Sequence, residues 1–302
     1  MKIKTAMNIT KKTKIRHRNE LNQTLAQLPL SAKRVMYMAL APIDSKKPLD
    51  RGQTFRVRAD DLAAIANITP SVAYQQLKDG SKILGGSSLS LTGDDVVALA
   101  KDLELPYNQK HKPNEMDLYI TDYCVYFKNE GYLELRFTRA IEPYISSLIG
   151  KKNKFTTQLL TSSLRLSGQY SSALYQLIRK NYSNFKKKNS FIISVDALKE
   201  ELIAYTFNEN GDIEYKYPEF PIFKRDVLNK SILEIKKKTE VSFIGISVSE
   251  KTGRKVSKLQ FEFIVEEDEF SGYEVGNSMG LSEEDAAFLE EFDKKVPPKK
   301  NK

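Results

Sequence analysis

Phe55-Arg56-Val57-Arg58-Ala59-Asp60-Asp61-Leu62 and Phe191-Ile192-Ile193-Ser194-Val195-Asp196-Ala197-Leu198 write one pattern twice, 136 residues apart. Each begins as a short strand and runs into a helix. Asp60 and Asp196 fall where a helix wants a side-chain oxygen for the unpaired amides of its first turn. Upstream of each segment lies a longer amphipathic helix with an apolar–Tyr pair, Met36-Tyr37 and Leu174-Tyr175. Downstream comes another helix, starting near Thr69-Pro70 and near Phe220-Pro221, and then alternating β-type sequence.

The order helix, strand, helix, helix, hairpin therefore occurs twice. A winged helix-turn-helix needs these parts: two scaffold helices, a third laid in the major groove, and a hairpin wing against the backbone. The expected fold is α+β, two winged-helix domains in tandem, residues 1–150 and 151–270, with a disordered acidic tail over 271–302. The boundary near 150 follows from Pro143 and Gly150 in the stretch IEPYISSLIGKKN, residues 141–153.

In the first copy Leu62, Ala63, Ile65 and Ala66 give the second helix a core face, and Asn67-Ile68-Thr69-Pro70 makes a tight connection. Thr69 can cap the next helix, with Pro70 at the first helical position, where its missing N–H costs nothing. Val72, Ala73, Leu77, Ile83 and Leu84 are expected to face inward. Ser71, Tyr74, Gln75, Lys78 and Lys82 recur at spacings of three and four on the other side, the side available to a ligand.

In the second copy a long helix from Pro221 to Lys238 has a core stripe of Leu228, Ile232 and Ile235. Its first turns carry Lys224, Arg225, Asn229 and Lys230. Arg and Asn match guanine and adenine by paired hydrogen bonds, so this is the main candidate reading head. Val241–Val248 and Arg254–Val265 alternate around the turn Glu250-Lys251-Thr252-Gly253, giving a wing with Arg254, Lys255 and Lys258 on or near its tip. Those cations, and the run Lys186-Lys187-Lys188, suit phosphate contacts, which set affinity and register.

Charge supports this reading. The chain of 302 residues has a net charge of +9, although twelve Asp and Glu and no Lys or Arg lie between Glu262 and Asp293. The remainder is strongly basic, and such a body attracts polyanions. The basic residues are spread over many segments with no basic amphipathic surface helix, which favours nucleic acid over a membrane. No membrane span or secretory leader is evident and Cys124 is the single cysteine, so a cytoplasmic protein without disulfides is expected. Cys124 reads as a small buried hydrophobe.

Chemistry-bearing motifs are lacking. Gly80 and Gly85 have the glycine spacing of a phosphate-cradling loop, but Gly86 stands where its lysine belongs. Cys124, His17 and His111 do not make a zinc site, and both histidines are expected at the surface. The expectation is a protein that is not an enzyme, with no metal and no cofactor. A nicking relaxase would need a histidine cluster and an activated tyrosine. A regulator of transcription with two winged helices would share every feature above. Leu21, Leu25 and Leu28 form an apolar stripe open to two uses, core packing or a dimer contact.

Three long stretches carry a resemblance: KKTKIRHRNELNQTLAQLPLSAKRVMYMALAPIDS (11–45), TRAIEPYISSLIGKKNKFTTQLL (138–160) and YKYPEFPIFKRDVLNKSILEIKKKTEVSF (215–243). They closely resemble the π-type initiators, plasmid replication initiators that bind iterons. The resemblance implies a protein that binds directly repeated iterons in double-stranded DNA as a monomer through both winged helices. It further implies origin opening with the host's replicative helicase and host initiator as partners, and a homodimer that represses its own promoter and restrains copy number. The major-groove positions it implies are Ser71, Tyr74, Gln75 and Lys78 in the first domain and Lys224, Arg225, Asn229 and Lys230 in the second.

Overall fold

A computed structural model describes residues 3–5, 9–102, 113–149 and 154–266. The chain divides into two compact units, the first formed by Met1–Thr10 and Lys14–Thr157 and the second by Lys11–Thr13 and Gln158 onward. The division lies past the boundary expected at 150 because the chain first pairs within the first unit. Asn19 N–H donates to the carbonyl of Lys154 at 3.2 Å, and Asn22 donates to the hydroxyl of Thr156 at 3.1 Å. The tail expected to be disordered, 271–302, lies outside the described residues, as does His111.

The first unit contains β1 (Ile3–Thr5), β2 (Lys14–Arg18), α1 (Leu21–Gln27), α2 (Leu30–Leu40), β3 (Thr54–Arg58), α3 (Ala59–Ala66) and α4 (Pro70–Leu84). It continues through β4 (Ser88–Thr92), α5 (Asp94–Asp102), β5 (Glu115–Tyr119), β6 (Thr121–Phe127), β7 (Tyr132–Phe137) and α6 (Glu142–Ile145). β8 (Phe155–Leu159) leads into the second unit, α7 (Leu160–Arg165), α8 (Gln169–Lys180), β9 (Asn189–Ser194), α9 (Val195–Glu201), β10 (Tyr205–Phe207) and β11 (Ile213–Tyr215). Then come α10 (Phe220–Phe223), a π-helical turn (Lys224–Asn229), α11 (Lys230–Lys238), β12 (Val241–Thr252) and β13 (Lys255–Val265).

The repeat seen in sequence is a repeat of sheet topology. The strand before the second helix pairs antiparallel with the last strand of the wing hairpin, in the order β3-β7-β6 in one unit and β9-β13-β12 in the other. Phe55 faces Leu135 and Val57 faces Leu133; Phe191 faces Phe261 and Ile193 faces Leu259. Alternation puts Phe55 and Val57 into the core while Arg56 stays at the sheet surface. The Phe191 and Phe261 rings stack at 4.9 Å with an interplanar angle of 2°. Burying each such side chain stabilises its unit by about 1.5–3 kcal/mol. Both units are winged helices.

The two helix-turn-helix connections differ. α3 ends at Asn67 in the left-handed region (φ 53°), a conformation Asn adopts readily, and Thr69 then caps α4, its hydroxyl accepting from Val72 N–H at 3.4 Å. In the second unit Leu202–Glu219 separates α9 from α10, and the β10–β11 hairpin occupies that interval. The capping expectation needs correction. Asp60 and Asp196 lie inside the first turns of α3 and α9, where their negative charge favours the positive end of the helix dipole, and Ser194 is the residue that caps α9, accepting from Ala197 N–H at 3.1 Å.

Leu21, Leu25 and Leu28 are buried in the first unit, so their stripe packs the core. His17 is buried too, against the expectation of a surface residue, because it shares the inward side of β2 with Ile15. Cys124 is half-buried on β6, and burial pushes its thiol up to about 12.

Candidate nucleic-acid interface

α4 is the third helix of the first winged helix. Ala73, Leu77, Gly80, Ser81 and Leu84 face the core, and α2 comes so close that a Cβ at Gly80 would stand 2.8 Å from both the Ser31 carbonyl oxygen and Val35 Cγ2. Glycine at that position sets the seat of the helix. Ser71, Tyr74, Gln75, Lys78 and Lys82 are all exposed on the opposite face. Gln75 is held by the next turn, its amide nitrogen 2.9 and 2.8 Å from the two oxygens of Asp79. Tyr74 leans on the wing: a Cβ at Gly131, in the β6–β7 turn at φ +65°, would lie 2.6 Å from its hydroxyl. The Gly131 carbonyl also accepts from Ala59 N–H at 2.8 Å, so this turn meets α3 and α4 together.

The corresponding helix of the second unit is built differently. α10 opens with Phe220-Pro221, the π-turn widens the next six residues, and α11 completes it. Arg225 and Lys230 are exposed and Asn229 is half-buried. Arg225 grips its neighbour Asp226 through Nε at 3.2 Å and Nη2 at 2.7 Å, and Lys230 stands 3.5 Å from the same carboxylate. Hydrogen bonds from Arg225 hold the Asp226 carboxyl below the usual range.

Lys224 does not join this face. Only 3% of it is exposed, because it stands four residues before Leu228 and so continues the inward stripe of Leu228, Ile232 and Ile235. Its apolar stem suits that place, and its charge is unavailable to a ligand in this conformation.

The helix is anchored at its far end by Glu234, which reaches the start of α8. Its carboxylate accepts from Ser167 N–H at 2.8 Å, Gly168 N–H at 3.1 Å and Lys238 Nζ at 2.7 Å. Burial works to raise this carboxyl, yet the hydrogen bonds from Lys238, Ser171 and Ser167 bring it down to about 2. Just beyond, Glu240 is buried among Arg179 at 2.9 Å, Tyr175 at 2.7 Å and Ser162 at 2.5 Å. Burial, followed by the Glu240 charge, holds the Tyr175 hydroxyl well above its ordinary range.

Arg254 and Lys255 are exposed at the β12–β13 turn, where Gly253 takes φ +61°. Lys186, Lys187 and Lys188 are exposed in the loop between α8 and β9, a loop pinned by the buried Asn189, which accepts from Ser183 N–H at 2.8 Å and donates to the Lys186 carbonyl at 3.1 Å. Lys188 turns toward the sheet, 2.9 Å from Glu262.

Three exposed apolar side chains were missed in sequence. Val72, expected inward, is 44% exposed because the inward stripe runs through Ala73 and Leu77. Ile222 is 39% exposed in the first turn of the second unit's third helix, and Phe185 is 93% exposed beside the lysine run. An apolar group at the start of a groove-reading helix suits a thymine methyl. The signal was available: Val72 follows Thr69-Pro70 and Ile222 follows Pro221, at helix starts where side chains have few neighbours.

Among the described residues there is no group of three or more His, Cys, Asp or Glu able to hold a metal ion, and no helix long and apolar enough to cross a membrane. The family model "Initiator Replication protein, WH1" matches residues 14–179, and "Initiator Rep protein, WH2" matches 206–263. The chain belongs to the initiator replication protein family. Within that family it is 71% identical over 304 residues to a PI protein of Escherichia coli, covering 100% of both chains. It is also similar to the solved structure of a Pi initiator protein in complex with iteron DNA, with a TM-score of 0.79 and 72% identity over 86% of this chain and 100% of that one. The WH1 match spans the first unit from Lys14 and continues into α8 of the second, and the WH2 match lies within the second unit.

Proposed function

We propose that this chain is a plasmid replication initiator that binds iterons in double-stranded DNA through both winged helices. The observation that carries the reading is its likeness, at 72% identity, to a Pi initiator crystallised with iteron DNA. The surface chemistry supports it. Ser71, Tyr74, Gln75 and Lys78 in one unit, and Arg225, Asn229 and Lys230 in the other, offer donors and acceptors suited to base edges in a major groove. Lys82, Lys186, Lys187, Lys188, Arg254 and Lys255 are exposed cations whose charge suits phosphates, with Lys188 shared with Glu262. No cofactor enters the reading, and the chain acts by binding, not by catalysis.

Family membership supports the remainder. The monomer engages iterons, helps open the origin, and meets the host's replicative helicase and host initiator. The homodimer represses the chain's own promoter and limits copy number.

The test is binding to an iteron duplex against a scrambled duplex across a salt series. Wild type should prefer the iteron by roughly a thousandfold, and Lys78→Ala and Arg225→Ala should each lose much of that preference. Equal affinity for both duplexes, fading together as salt rises, would leave only a basic surface and overturn the proposal.

A further inference from the structure

We infer that Asp79 and Asp226 are positioning residues that fix the direction in which Gln75 and Arg225 reach a base. The inference rests on the DNA-binding reading above and adds the device that gives each helix its selectivity. A carboxylate on a face that meets a polyanion works against binding by simple charge, so its presence beside each candidate reading side chain asks for an offsetting role.

The geometry supplies that role. Both Asp79 oxygens accept from the Gln75 amide nitrogen, at 2.8 and 2.9 Å. That arrangement decides which end of the amide is turned away and leaves the Gln75 oxygen free to accept, with one N–H of the nitrogen still able to donate. An acceptor beside a donor is the pair that adenine demands in the major groove. Asp226 does the same for a guanidinium, taking Nε at 3.2 Å and Nη2 at 2.7 Å. The guanidinium is planar, so fixing one edge fixes the direction of the remaining N–H groups, which match the two acceptors of guanine.

Adjacent residues on a helix do not normally face each other, so Arg225 has to fold back along the helix to make this pair. A side chain held this way has less rotamer freedom to lose on docking. Lys230, 3.5 Å from the Asp226 carboxylate, keeps the cluster of three charges net positive.

The experiment uses the full chain with Asp79→Asn, Asp226→Asn and Asp226→Glu, and iteron duplexes in which each base pair is changed in turn. Wild-type preference for the iteron is measured first; its absence would defeat the DNA-binding reading itself, before the aspartates are in question. Given that preference, each Asn variant should bind scrambled duplex as well as or better than wild type, while its preference for the iteron falls about tenfold, the size of one lost base pairing. The relaxation should fall on different base pairs for Asp79→Asn and Asp226→Asn, and Asp226→Glu should recover part of the loss. In an Arg225→Ala background, Asp226→Asn should change the preference no further.

Two results would overturn the inference. A uniform gain on every duplex with preference unchanged would make the aspartates simple repulsive charges. A further loss of preference in the Arg225→Ala background would make Asp226 a base contact in its own right. Amide exchange of each variant reports whether its helix is intact, and a variant that loses the helix is replaced by Asp226→Glu or Asp79→Glu, for which a loss of preference well short of about tenfold is the expected result and a loss of about tenfold or more the contrary one.

Discussion

The two third helices of this chain hold corresponding places on one fold and are fixed by different forces. α4 is continuous, is capped by Thr69, and is seated by the close approach of α2 at Gly80. The helix from Phe220 to Lys238 has three segments, a π-turn between two α-helical ones, and is tied down by charge: Glu234 to the start of α8, and Glu240, just past its end, to Arg179 and Tyr175. Backbone contact positions the first and carboxylates position the second. A winged helix therefore requires only that its third helix be immobile, and sequence can supply the anchoring by either route.

That contrast can be broken most forcefully at Glu240. Glu240→Ala leaves the buried Arg179 guanidinium without its carboxylate, and the second unit should lose about 3–5 kcal/mol of stability. Denaturant unfolding combined with amide exchange should place that loss in the second unit and leave the first at wild-type protection. Equal losses in both would show that the two anchoring schemes are not separate.

Gly80→Ala is the complementary test. The added methyl meets a backbone oxygen that has nowhere to move, so the first unit should lose about 1–3 kcal/mol, and preference for the iteron base pairs opposite α4 should weaken with it. Unchanged stability would mean that α2 and α4 yield easily and that glycine is not what seats the helix.

The smallest effect is the acid limb of the second unit. Glu234 titrates at about 2 in the folded chain against an ordinary 4.5. Its folded value is depressed, so its contribution is complete above about pH 4.5 and drains away as pH falls toward 2. Glu234→Gln should remove that contribution at neutral pH and flatten stability over this window. An acid limb identical to wild type would assign the anchoring of this helix to Glu240 alone.

Much of this was legible in the sequence, because it depended on spacing. The repeat at Phe55 and Phe191 identified strands with the same place in two sheets, and Thr69-Pro70 announced the start of α4. By residue type Lys224 belongs with the polar face, but its four-residue spacing from Leu228 puts it on the buried stripe. Asp60 and Asp196 were credited with capping that falls to Ser194 in α9, a choice settled by backbone geometry one turn wide. The π-turn has no periodic signature, and the carboxylates on Gln75 and Arg225 are visible only when side chains have positions. Sequence reading found which face is polar; which polar groups already hold each other is a property of the folded chain.

Cys124 has a practical consequence for optical work. It is the chain's single cysteine, and burial pushes its thiol well above the ordinary range, so little thiolate is present at neutral pH. Maleimide and iodoacetamide dyes react with the thiolate, so the native protein is close to silent toward them. A cysteine introduced at exposed Asn210, beyond β10, would then take a fluorophore almost alone, giving a single-colour reporter without first removing a native residue.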